Sequence, residues 1–259
     1  MNASSSATPV TAALLVIGDE ILSGRTKDKN IGTVADFCTE LGIELKEVRV
    51  ISDDIDVIVA AVNALRVEYS YLFTTGGIGP THDDITADAV ARAFGVDLPV
   101  NEEARRVLED QYKTTDVSPE RLRMARVPVG GTLIKNFVSG APGFTIGNVH
   151  VMAGVPKIMQ AMLEDLAPRL KGGARMETRS IDCGVGESTV SAPLAAIQAD
   201  YPTVKIGSYP QMGKLPVYTQ LVLRAADIAL LDEATAKVQA MVDAIHAEKG
   251  IDLSKGEKT

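Results

Sequence analysis

Apolar positions between Ala12 and Leu170 follow two alternating rhythms. Three short runs, Ala13–Ile17, Ile43–Ile51 and Tyr69–Thr74, predict strands, the apolar Tyr71-Leu72-Phe73 of the third reading as buried. Between them the spacing becomes helical. Ile31, Val34, Ala35, Cys38 and Leu41 share one face of a helix predicted over Lys29–Leu41. A second helix is predicted over Val57–Leu65, capped by Asp54 or Asp56. A third places Ile85, Ala89, Val90, Ala93 and Phe94 on one face and stops at Gly95. Strands alternating with helices predict a parallel sheet covered on both faces.

Further along, Asn101–Tyr112 and Pro119–Ala125 read as outer helices. Thr132–Ile134, Gly143–Ile146 and Val149–Met152 read as strands, with Gly147-Asn148 as a hairpin turn, and Pro156–Leu170 as a closing helix. After Ala174 the pattern changes. Strand Met176–Cys183, helix Thr189–Ala199, strands Val204–Ser208 and Tyr218–Ala225, and a long helix within Ala226–Ala247 make a small βαββα unit. Tyr209 to Lys214 reads as its hairpin loop. Residues 1–11 read as a disordered leader without the features of a secretory signal, 12–173 and 174–252 as two domains, and 253–259 as a frayed tail.

The chemistry concentrates in one turn, Thr74-Thr75-Gly76-Gly77-Ile78-Gly79-Pro80-Thr81-His82-Asp83-Asp84-Ile85-Thr86, between the third strand and the third helix. Its three glycines permit close approach of a ligand, and free amides ahead of a helix make a seat for phosphate. Asp83 and Asp84 would repel a phosphate unless a cation lay between, which points to Mg²⁺-assisted phosphate chemistry; capping of the helix is the plainer role for these acids. The turn is neither G-x-G-x-x-G nor a P-loop. Ligands of open α/β sheets bind beyond the carboxyl ends of the strands, and the Gly18–Asn30 loop and Ser52–Asp54 reach that same rim.

The run Thr-Thr-Gly-Gly-x-Gly-x-x-x-x-Asp-x-Thr resembles the signature of the molybdopterin-binding fold. That fold is shared by molybdopterin adenylyltransferase, gephyrin and the N-terminal domain of competence/damage-inducible protein A, and is similar to a domain of some eukaryotic FAD synthases. The form Gly-Pro-Thr-x-Asp-Asp-x-Thr is nearest to the competence-type branch. Val16–Gly24, Asp28 with Asn30, Val50–Asp54, Gly140–Phe144 and Met152–Pro156 resemble further landmarks of the family. The family more often has Pro-Gly-Pro-Pro at the last of these. The resemblance implies a three-layer α/β fold with a parallel/mixed sheet, followed by the small α+β domain. Many competence/damage-inducible proteins carry a further amidohydrolase domain; these 259 residues are expected to lack it, and no deamidase activity is expected.

Two functions follow from the resemblance. One is a metal-dependent nucleotide pyrophosphatase acting on ADP-ribose or FAD. Gly76, Gly77 and Gly79 would seat the pyrophosphate, Thr75, Thr81 and Asn30 would orient phosphates or nucleoside, and Asp84 and Asp53 would be catalytic. Asp84, Asp83 and Glu20 would hold Mg²⁺, or Mn²⁺ or Co²⁺. The other is binding or adenylylation of molybdopterin on the same rim. A third, non-catalytic reading makes the fold a nucleotide-sensing module. A homo-oligomer, dimer or trimer, is implied by the family alone.

Composition narrows the field. Apolar residues make up 46% of the chain and aromatics 4%, enough for a sizeable core. Net charge −8 and pI about 5.0 argue against a nucleic-acid surface. Cys38 and Cys183 read as reduced core residues in a cytoplasmic protein, and the three histidines form no zinc pattern. No apolar run is long enough to span a membrane. The arginines between Arg105 and Arg126 read mostly as solvated helix faces, with a lesser reading in which one reaches the phosphate site. The Gly184–Ser188 turn is read as structural, with Ser188 a cap.

Overall fold

The computed structural model describes residues 9–211 and 218–251. The expected leader lies mostly outside them, as do the tail and Met212 to Lys214; Thr11, expected in the leader, begins the first strand. The chain divides into two compact units after Ala174.

The first unit contains β1 (Thr11–Ile17), α1 (Asp19–Leu22), α2 (Asn30–Glu40), β2 (Glu44–Ile51), α3 (Ile55–Glu68), β3 (Tyr71–Thr75), α4 (Thr86–Phe94), α5 (Glu102–Tyr112), α6 (Pro119–Leu122), β4 (Thr132–Ile134), β5 (Gly143–Ile146), β6 (Val149–Met152) and α7 (Pro156–Leu166). A 3-10 turn, Arg123–Ala125, follows α6, and another, Ala167–Arg169, follows α7. The sheet order is β2-β1-β3-β6-β5-β4. The four strands β2, β1, β3 and β6 run parallel, while β5 and β4 add an antiparallel edge, so the sheet is mixed. Two apolar layers flank it. Leu15, Ile17 and Leu72 pack with Ile58, Val62 and Val90 of α3 and α4 on one face. Leu14, Val16 and Phe73 pack with Val34, Cys38, Met159 and Met162 of α2 and α7 on the other. That two-sided burial explains the near-continuous apolar runs.

Most element boundaries move by a residue or two, for local reasons. Asp54 is the cap of α3, accepting from the amides of Asp56 and Val57, so the helix starts before the predicted Val57. It also continues to Glu68, past the predicted Leu65; the apolar periodicity misses this last turn because Val67, 81% exposed, is not on the buried face. Tyr69, predicted in β3, instead closes α3, its amide donating to Leu65 O at 3.0 Å. Pro168 has no N–H, and α7 gives way there to a 3-10 turn. Gly95 ends α4 in the left-handed conformation, as its position implies.

The second unit contains β7 (Glu177–Asp182), α8 (Glu187–Asp200), β8 (Lys205–Gln211), β9 (Tyr218–Ala225) and α9 (Ile228–Lys249). Its antiparallel sheet has the order β7-β9-β8. Val190, Leu194, Leu231, Val238 and Val242 of the helices pack on Ile181, Leu221 and Leu223 in a core of its own. Asp227 caps α9 through the Leu230 amide. Tyr209 belongs to β8 and not to the hairpin loop. Both cysteines are free and buried, and burial pushes the Cys38 thiol up to about 12.

His150 of β6 is buried between strands. Its ring stacks on Phe73 at 5.4 Å between centroids, and its Nδ1 lies 2.9 Å from Thr145 Oγ1. Burial, with Arg169 contributing, lowers its pKa to about 4. The unfolded chain takes up this proton near pH 6.5, while the native one refuses it until about pH 4, so stability falls as pH is lowered through that window. The loss approaches about 3 kcal/mol. In urea melts between pH 7 and 4, His150→Phe is expected to flatten this slope; an unchanged slope would assign the acid sensitivity elsewhere.

Candidate active site

The turn between β3 and α4 is held by backbone. Gly76 has φ 104°, and a Cβ there would lie 2.1 Å from Ile17 O. Its amide donates to Met152 O at 3.1 Å, which ties the turn to β6. Gly77 has φ 65°, and a Cβ on it would lie 2.2 Å from Thr86 Oγ1. Thr86 is fully buried, its hydroxyl donating to Gly76 O (3.0 Å) and its amide to Gly77 O (3.0 Å). The glycines are therefore required by the backbone of β1 and the buried Thr86 side chain of α4 before any ligand is considered.

The turn opens on a cleft of about 570 Å³. Gly76, Gly77, Gly79, Glu20 and Asp84 line it, as do Thr26 from the loop after α1 and Gly154 from the turn after β6. The rim loops converge as the sequence suggests. Gly18 N donates to Ile51 O at 3.1 Å, and Asp19 N to Asp53 Oδ2 at 2.9 Å, lacing the loop after β1 to the one after β2.

The structure separates the sequence-predicted residues into three groups. Gly76, Gly77, Gly79, Glu20 and Asp84 face the cleft. Asp53, Asp83 and Thr81 do not line it; Thr81 bonds Asp84, and Asp53 accepts from the Asp19 amide and feels the charge of Asp83. Thr75 and Asn30 do not reach it: Thr75 lies at the end of β3, 1% exposed, its hydroxyl buried without a hydrogen-bond partner. Asn30, 4% exposed, donates from Nδ2 to Gly154 O at 2.8 Å. A Cβ on Gly154 would come within 3.3 Å of Gly76 Cα, so Asn30 steadies the backbone behind the phosphate turn. Neither side chain lines the cleft in this structure: Asn30 is tied to the turn after β6, and both the Thr75 hydroxyl and Asn30 Oδ1 are buried without a hydrogen-bond partner.

Helix capping by the acid pair is also corrected. α4 begins at Thr86 with Ile85 as its N-cap, and no side chain caps it. Asp84 turns back instead. Its Oδ2 accepts from Thr81 N (2.8 Å) and Thr81 Oγ1 (2.6 Å), closing a four-residue turn. A Cβ on Gly79 would lie 2.6 Å from that same oxygen. Asp83 is solvent-exposed beside His82.

Among the described residues no three His, Cys, Asp or Glu gather closely enough to hold a metal ion by themselves. Glu20, Asp83 and Asp84 thus do not form a closed protein cage. The hard oxygens of Glu20 and Asp84 on the cleft do fit the manner in which Mg²⁺ is held, by one or two carboxylates, water and the ligand's phosphates. The rim is electrostatically crowded. Asp53 has its pKa raised, chiefly by desolvation; the Asp19 amide opposes this, and Asp19, Glu20 and Asp83 add to it.

Sequence reasoning gave the basic segment after α5 only a lesser chance of reaching the site. Arg123 Nη2 donates to Asp84 O at 3.2 Å. Arg126 grips Asp88 of α4 with two hydrogen bonds, 2.8 and 2.7 Å. Together they brace the turn and the first turn of α4. Tyr112, Met124, Ser139 and Ala141 also line the cleft and were not foreseen. These contacts join residues 28 or more positions apart, and no local spacing signals them.

Fold and cleft define an α/β protein with a mixed sheet and a glycine turn that opens on a cleft at the carboxyl ends of its parallel strands. Residues 13–172 match the family model described as "Probable molybdopterin binding domain", and the chain belongs to that family. Residues 175–249 match the model of the FAD synthase middle domain. A protein of Archaeoglobus fulgidus is 33% identical over 204 residues, 79% of this chain and 87% of that protein. A CinA-like protein of Desulfosudis oleivorans is 35% identical over 76% of this chain and 51% of its own length, so the chain spans about half of it. The crystal structure of the protein CinA with unknown function from Thermoplasma acidophilum superposes with a TM-score of 0.59 at 33% identity, covering 62% of this chain and 98% of that one. No helix among the described residues is long and apolar enough to cross a membrane.

Asp53 offers a direct check on the crowded rim. A carboxyl whose pKa is raised by folding costs nothing below its unfolded pKa. The cost grows as pH rises through the unfolded and then the folded value. Asp53→Asn keeps an oxygen for the Asp19 amide and removes the charge. The variant is expected to melt above wild type at pH 7–8 and to lose that advantage near pH 3–4. A lower melt at every pH would mean the carboxylate is structurally required.

Proposed function

We propose that the chain is a metal-assisted nucleotide pyrophosphatase of the ADP-ribose or FAD class. The observation that carries this reading is the composition of the cleft: the glycine turn Gly76–Gly79, two carboxylates, Glu20 and Asp84, and an apolar part share one space of ligand size. The amides of Gly77 and Gly79 bind and orient the pyrophosphate, while the Gly76 amide, expected to join them, is spent on Met152 O and fixes the base of the turn. Asp84, fixed by Thr81, keeps a carboxylate oriented at that turn. Asp53, whose crowded carboxyl binds a proton more tightly than an ordinary one, is the candidate general base for an attacking water. A divalent cation held by Glu20 and Asp84 would neutralise phosphate charge and lower the pKa of a bound water. Two free buried cysteines agree with a reducing, cytoplasmic setting.

The second reading is binding or adenylylation of molybdopterin, favoured by the description of the family to which the chain belongs. A shared fold does not by itself carry a shared activity. Chromatography of products from ADP-ribose, FAD, NAD and ATP, each with Mg²⁺, Mn²⁺ or Co²⁺, separates the two. Wild type is expected to release AMP from ADP-ribose or FAD. Asp84→Asn is expected to lose turnover while losing no more stability than a cap is worth, about 0.5–2 kcal/mol. Silence of wild type across the panel, with saturable binding of molybdopterin, would establish the second reading instead.

A further inference from the structure

The lining of the cleft divides by chemistry. The turn after β3, with Glu20 and Asp84, supplies amides and carboxylates, while Tyr112, Met124, Val155, Pro156 and Ile158 supply an apolar part. A ligand that was phosphate alone would have no use for the apolar part. Tyr112 is the aromatic residue of that part. The Arg121 guanidinium lies 3.9 Å from the ring centroid and does not line the cleft, so one face of the ring is occupied by a cation that is not itself part of the lining. Lys113 ends α5 directly after Tyr112 in a left-handed conformation, φ 53°. Tyr112 is thus the last residue of α5, where the chain leaves the helix.

The apolar part is tied to the phosphate turn. Arg121, Arg123 and Met124 belong to one short segment, α6 and the 3-10 turn after it, and Arg126 follows it directly. Arg123 bonds to Asp84 O and Arg126 to Asp88. The segment that packs on Tyr112 is thus anchored on the loop that would seat phosphate. An aromatic face held rigidly near an anion seat selects a phosphate ester bearing a planar ring.

We propose that Tyr112, with Met124 beside it and Arg121 on its ring, forms the stacking subsite for the planar heteroaromatic ring of the ligand, a purine or a flavin-like tricycle, whose phosphate lies on the amides of Gly77 and Gly79. This specificity subsite rests on the phosphate-seat half of the proposed function and is independent of hydrolysis.

The test is calorimetric titration of the full chain with AMP, FMN, ribose 5-phosphate and inorganic phosphate, none of which contains a pyrophosphate bond. Wild type is expected to bind AMP or FMN more tightly than ribose 5-phosphate; the stronger of the two names the ring. Tyr112→Ala is expected to weaken ring-bearing ligands by about 5- to 150-fold and leave the other two unchanged. Tyr112→Phe is expected to stay within about threefold of wild type, since the ring is kept. Arg121→Gln is expected to weaken the ring-bearing ligands by about 2- to 5-fold. Equal weakening of all four probes by Tyr112→Ala would make the residue structural and overturn the subsite, as would no change in any, or no binding of any probe to wild type. Hydrolysis in the substrate panel that is indifferent to Tyr112→Ala would sink the subsite and leave the pyrophosphatase reading standing. Ring-selective, Tyr112-dependent binding without hydrolysis would do the reverse.

Discussion

The first unit depends on a place where three backbones approach with no room for a side chain. Gly76 touches the carbonyl of Ile17 at the end of β1, receives Gly154 from beyond β6, and hydrogen-bonds Met152. The carboxyl ends of three adjacent parallel strands are thereby drawn together, and the loops that follow them must all leave from one rim. The cleft exists because that rim is tight at its base and open above. Thr86 completes the arrangement from the helix side, spending its buried hydroxyl on the Gly76 carbonyl and not on a cap. A methyl group at Gly76 or Gly77 would meet backbone or a buried side chain, so the turn would have to unwind to accept it.

Above this base the rim gathers acids at some cost. Asp53 is desolvated and faces Asp19, Glu20 and Asp83, which together hold its carboxyl above the ordinary range. Local rules would place opposite charges here, and departures of this kind concentrate where a protein handles a ligand. Around the same turn the positive charge is spent on structure: Arg126 on the Asp88 carboxylate and Arg123 on the Asp84 carbonyl. The rim therefore keeps its negative field, while the arginines make the loop stiff. Stiffness matters to any ligand reading, because a phosphate seat made of amides works only if the amides do not have to be reorganised on binding.

The second unit stands on its own energetics. It has a separate apolar core, an antiparallel sheet and a capped long helix, and none of its described features repeats the glycine-turn chemistry of the first. Its glycine turn leads into α8, whose N-cap is Gly186 and not the expected Ser188, which lies inside the first turn of the helix without a side-chain cap bond; Glu187 is bonded to the Ser208 hydroxyl. That pairing joins the helix start to β8 and accounts for the turn in structural terms.

What the sequence determined by itself is whatever is encoded by neighbours along the chain. Strand and helix alternation, the left-handed stop at Gly95, the Gly147-Asn148 hairpin and the location of the glycine turn at the end of β3 all follow from local spacing and backbone preference. Only the tertiary structure decided which polar side chains of the motif serve the cleft. Thr75 and Asn30 carry suitable atoms but belong to buried layers, and Asp84 sits where a cap would be yet bonds Thr81. It also brought Tyr112, Met124 and Arg123 to the turn, from a segment that reads as an ordinary amphipathic exterior. Side-chain direction at the end of a strand, and contact between segments 28 or more residues apart, are set by packing of the whole sheet and its helices. No local pattern in the chain records them.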